Sequence, residues 1–109
     1  MAYDPGLAQR VRERLSEEVG LHEREMFGGI AFMLDGNMAL GIVGDDLIVR
    51  VGAEETERAL SRPHARPFDM TGRAMRGWVM IAGEGLAEDE ALSEWVQWGR
   101  SFALSLPPK

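Results

Sequence analysis

The sequence has no cysteine, so neither a disulfide framework nor a thiolate, as metal ligand or nucleophile, is open to it. It also lacks any apolar run near the ~20 residues that cross a bilayer. Its first residues, MAYDPGLAQR, do not follow the basic-then-apolar order of a signal peptide. These absences are the expectation for a cytoplasmic protein that makes no contact with a membrane. Histidine is scarce: His22 and His64 stand far apart, without carboxylates at ligand spacing, and His22-Glu23-Arg24-Glu25 lacks the second histidine of a zincin helix. Ser16, Ser61, Ser93, Ser101 and Ser105 fall on helix surfaces or ends, where no base and orienting group would activate a hydroxyl. Gly28-Gly29 precedes a strand and no lysine follows it, so it reads as a bulge or a close backbone approach and not as a phosphate loop. The expectation is a protein that is not an enzyme and needs neither metal nor cofactor.

Charge narrows the partners. Twelve Lys and Arg against 18 Asp and Glu leave a net charge of −6, which repels a phosphate backbone and argues against direct DNA binding. The acidic runs Asp45-Asp46 and Glu88-Asp89-Glu90 occupy turn and helix-start positions. A chain of 109 residues makes one domain, residues 1–109, and buries roughly two thirds of its unfolded surface.

What is present centres on Met26 to Val51, MFGGIAFMLDGNMALGIVGDDLIVRV, which reads as three antiparallel strands. Asp35-Gly36 supplies the left-handed positions of a two-residue hairpin, setting Leu34 opposite Asn37 and Phe32 opposite Ala39. A second turn centred on Asp45-Asp46 would set Ile42 opposite Val49. The core face is then Ala31, Met33, Met38, Leu40, Ile42, Leu47, Val49 and Val51. The other face carries Ile30, Phe32, Leu34, Ala39, Gly41, Val43 and Ile48, too apolar to face open water. Ile30, Phe32, Val43 and Ile48 are therefore the candidate interaction face. A homodimer is its simplest cover.

Helices flank these strands. Asp4-Pro5 starts one whose apolar positions run from Leu7 to Val19 and which Gly20 ends. On its outer side the i, i+4 pair Arg10 and Arg14 has the spacing to hold an anion. Ala53 to Arg62 forms a second helix, stopped by Pro63. Phe68 to Met70 and Trp78 to Ala82 form a further hairpin, and Ala87 to Leu106 a strongly amphipathic helix with Trp95 and Phe102 in the core and Trp98 at its edge. From Arg58 to Arg76 five arginines meet one acid, Asp69. Arg66, Arg73 and Arg76 flank the hairpin and are the candidate contacts for a phosphate, a nucleotide or an acidic partner. The fold class is α+β, two-layered, in the order α-β-β-β-α-β-β-α.

Met26-Phe27-Gly28-Gly29, the Asp35-Gly36 hairpin, Asp45-Asp46-Leu47 with Val49-Arg50-Val51, Arg66-Pro67-Phe68 and Met75-Arg76-Gly77-Trp78 follow one another in this order. Together they resemble the N-terminal domain of the TfoX/Sxy family. The resemblance covers nearly the whole chain and implies an antiparallel sheet with helices on one face, similar to secretion chaperones. Its name comes from regulators of natural competence, in which a C-terminal helical domain follows and a cyclic-AMP receptor protein is the partner at promoters. The resemblance brings no catalytic residues with it. It implies a regulatory adaptor, standing alone as the first domain.

Overall fold

Both residues of the Asp35-Gly36 turn have positive φ, 52° and 84°, which is what a type I′ hairpin requires and an Asp-Gly pair adopts with little strain. In the computed structural model of the chain, which describes residues 3–26, 28–69 and 74–108, this turn joins β2 (Gly29–Leu34) to β3 (Asn37–Val43). Leu34 lies opposite Asn37 and Met33 opposite Met38, as the turn dictates. The next turn, into β4 (Asp46–Arg50), is centred on Gly44-Asp45 and not on Asp45-Asp46, because Gly44 takes the left-handed position at φ 60°. Ile42 therefore faces Leu47, and Val43 faces Asp46.

The sheet has six antiparallel strands in the order β1-β2-β3-β4-β6-β5, one more than the sequence pattern implies. The added strand is β1 (Leu21–Met26), whose His22-Glu23-Arg24-Glu25 carries no apolar alternation to announce it. Only an edge tolerates such a strand, where charge on both faces discourages pairing with other chains. Arg12 holds β1 with a two-pronged bond to Glu23, at 2.5 and 2.7 Å. At the opposite edge β5 (Ala65–Asp69) contains Pro67, which has no N–H to offer a further strand, and β6 (Ala74–Ile81) lies between β5 and β4.

The first helix, α1 (Pro5–Arg14), begins where expected, with the Asp4 carboxylate accepting the Gly6 N–H at 2.8 Å. It stops a full turn early: the Leu15 N–H closes on the Val11 and Arg12 carbonyls, and Val19 is wholly exposed. The chain must turn there to enter β1, with Gly20 passing so close to Asp35 that a Cβ would collide with its carboxylate. After β4 a 3₁₀ turn (Ala53–Glu55) leads into the short α2 (Thr56–Leu60). The Thr56 hydroxyl donates to the Gly52 carbonyl and accepts the Gly77 N–H, both at 2.9 Å, tying this crossover to β6. A second 3₁₀ turn (Gly83–Leu86) precedes α3 (Asp89–Ser105).

All three helices pack on one side of the sheet. Leu7, Val11 and Leu15 from α1 and its C-terminal cap, Ala59 of α2 and Leu92, Trp95, Val96 and Ala103 of α3 share a core with Phe32, Leu40, Ile42, Leu47, Val49, Val79 and Ile81. Trp95 is in this core, while Phe102 and Trp98 are half-buried. The register between β2 and β3 shifts between Phe32 and Met33, leaving Ala39 as an extra residue, so Phe32 faces Leu40 and not Ala39. At this bulge α3 lies close against the sheet. A Cβ at Gly99 would lie 2.7 Å from the Ala39 carbonyl oxygen and 2.8 Å from Leu40 Cδ2.

Gly99→Ala will force α3 off the bulge and destabilise the protein by about 1–3 kcal/mol, read as a lower urea midpoint. Hydrogen bonding from Arg12 holds the Glu23 carboxyl below its ordinary range. A lowered folded value means that its stabilisation is complete above the unfolded carboxyl value and is lost as pH falls through the folded one. Since both side chains remain partly in water, Glu23→Gln will cost about 0.5–1 kcal/mol at pH 7. In denaturation curves at falling pH the two proteins will converge once the wild-type carboxyl is protonated.

Candidate interaction face

Opposed residues of an antiparallel pair project from the same side of a sheet, so the register sorts the strand residues into two faces. Ile30, Phe32 and Leu34 join Leu40, Ile42, Leu47 and Val49 beneath the helices. Ala31, Met33, Met38, Gly41, Val43, Ile48 and Met80 fall on the other side. This corrects the sorting expected from an unbroken hairpin. Because β3 carries one extra residue, the β2 side chains from Phe32 back to Ile30 are exchanged between faces relative to β3.

The second face is apolar and rich in methionine. Ala31 and Ile48 are fully buried although neither belongs to the helix-covered core. The Met38 side chain lies across Gly41, where a Cβ would meet its Cε at 2.8 Å and Ile48 Cδ1 at 3.7 Å. Met33, Met38, Val43 and Met80 are half-buried, forming an outer layer of flexible side chains where a second tier of helices would otherwise lie. Charge lies at the margins. Arg24 is opposite Ala31 on β1, and Arg66 is opposite Met80 on β5. The Arg66 guanidinium donates to Asp46 at 2.8 Å and to the Met80 sulfur at 3.1 Å.

The expected interaction residues therefore divide. Ile30 and Phe32 are core residues, 5% and 0% exposed, and cannot contact a partner. Val43 and Ile48 lie on the bare face, Val43 at its hairpin end and Ile48 beneath the methionines. Of the candidate anion contacts, Arg66 is bonded to Asp46, Arg76 is exposed on β6 before the left-handed Gly77, and Arg73 lies outside the described residues. The pair Arg10 and Arg14 does hold an anion, Asp89 of α3, at 3.0 and 3.2 Å. Hydrogen bonding and charge from Arg10, with the charge of Arg14, keep the Asp89 carboxyl below its ordinary range.

A second cluster lies between α2 and α3. Arg58 and Arg62, one helical turn apart, place their guanidinium carbons 4.9 Å from the Trp98 ring centre and 5.7 Å from that of Trp95. The two indoles stack at 5.4 Å, inclined by 11°. An open groove of about 570 Å³ runs beside Arg58, Arg62, Glu94, Gln97 and Trp98. Its sequence signal was the i, i+4 pair Arg58 and Arg62 together with an indole at the edge of the apolar arc of α3, two features on separate segments.

Together these features define an α+β domain with a six-stranded antiparallel sheet, helices on one face and a methionine-lined apolar surface on the other. The chain matches the TfoX N-terminal domain over residues 13–103 and belongs to that family, which suggests a regulatory domain of the competence type. No curated protein and no solved structure matches it. Among the described residues no helix is long and apolar enough to cross a membrane.

Proposed function

We propose that this chain is a non-enzymatic protein-interaction domain, a regulatory adaptor that receives its partner on the methionine face of the sheet. The observation that supports this reading is the outer layer of Met33, Met38 and Met80 over Ala31 and Ile48, on the side of the sheet away from all three helices. Methionine adapts its shape to different apolar surfaces, which suits a docking face better than a fixed core. Apolar side chains of the partner would lodge among these methionines. The marginal Arg24 favours a partner with an acidic residue flanking its apolar ones.

A sensor of small anions built on Arg66, Arg73 and Arg76 is the weaker reading, since Asp46 already occupies Arg66. The docking reading is tested by capture from cell extract with wild type and with Met33→Glu/Met80→Glu, accompanied by light scattering of each purified protein. Capture of a defined partner by wild type and its loss in a variant of unchanged melting temperature is the expected result. A wild-type dimer split by the same substitutions would identify the partner as a second copy. If both proteins capture the same set and both are monomers, the face is not the docking site.

A further inference from the structure

The groove between α2 and α3 lies on the helix side of the molecule, and its chemistry is independent of the docking face. An arginine guanidinium carries five N–H donors in a planar fork. Here Arg62 makes one bond to a carboxylate, Glu94 Oε2 at 2.7 Å, and Arg58 one to Glu55, so most of the five donors of each remain unassigned among the described contacts. The Arg58 side chain is 69% exposed even while it lies over Trp98. Two guanidinium planes, a half-buried indole and an open space of about 570 Å³ thus converge, a size in the range of small-molecule sites.

We infer that this groove is a binding site for a small planar anion, an aromatic ring bearing a carboxylate or a phosphate. The ring would lie flat against the exposed guanidinium plane of Arg58 and meet Trp98 edge-on. Its anionic group would take donors of Arg58 and Arg62. Glu94 is the internal competitor: it occupies Arg62 in the empty groove and gives way when an outside anion arrives. A non-aromatic anion would gain only the charge contact, and a neutral ring only the stacking.

The test uses the full chain and four probes, followed by calorimetry and by the quenching of tryptophan fluorescence. Adenosine 5′-monophosphate and indole-3-acetate carry both features, adenosine only the ring and inorganic phosphate only the charge. Saturable binding is expected for the first two, with each single-feature probe roughly tenfold weaker or more, adenosine losing the charge-assisted contact and inorganic phosphate the stacking. Arg58→Gln and Arg62→Gln should each weaken binding by a similar factor. Glu94→Gln should tighten it several-fold, a gain that misfolding cannot imitate. Absence of saturable binding by either planar anion up to about 10 mM would overturn the inference. So would binding indifferent to Arg58→Gln and Arg62→Gln, or a Glu94→Gln variant that binds no more tightly than wild type.

Discussion

One extra residue in β3 decides how the layers of this protein meet. Without the bulge at Ala39, Phe32 and Ile30 would project away from Leu40 and Ile42, and the helix-covered side would lose its largest side chain from the strands. With it, three strands present an apolar floor, and the Ala39 carbonyl oxygen rises to meet α3 at the one position, Gly99, that has no side chain. The bulge and the glycine are thus a matched pair on elements 60 residues apart. The apolar residues displaced to the far side, Ala31 and Met33, are the consequence of that arrangement as well as the basis of the proposed docking face.

Arginine supplies links among the helices and one from α1 to the sheet. Arg12 joins α1 to β1 through Glu23, Arg10 and Arg14 join α1 to α3 through Asp89, and Arg62, just past α2, reaches α3 through Glu94. Arg100 returns from α3 to Glu18, in the turn that ends α1. Each pair is open to water and contributes little alone. Together they use five of the twelve cationic residues of a strongly acidic chain.

Much of this was legible in the residues. Asp35-Gly36 states its turn because few dipeptides accept two left-handed positions, and α3 states its face through 17 residues of regular spacing. The bulge was not legible. Ala39 is small enough to fit a regular pair or an extra position, and the choice rests on Gly99, which lies in a distant helix. Strand β1 was hidden because its charges answer to Arg12 and to solvent, not to an apolar period. In the candidate site the same limit applied. Val43 and Ile48 kept their face because they lie on the far side of the bulge, whereas Ile30 and Phe32 lost theirs to it.

The charged edge strand also limits how the molecule can assemble. If two copies joined their β1 strands about a two-fold axis with the sheet running on, one residue would have to lie opposite its own copy, because only then do the faces agree. The central residues on offer are His22, Glu23, Arg24 and Glu25. Each juxtaposes two identical polar or charged groups, and Glu23 would also have to leave Arg12. With Pro67 at the opposite margin, neither end of the sheet invites a further strand. Growth by strand addition, the geometry of fibrils, is disfavoured at both ends of a sheet that carries an apolar face.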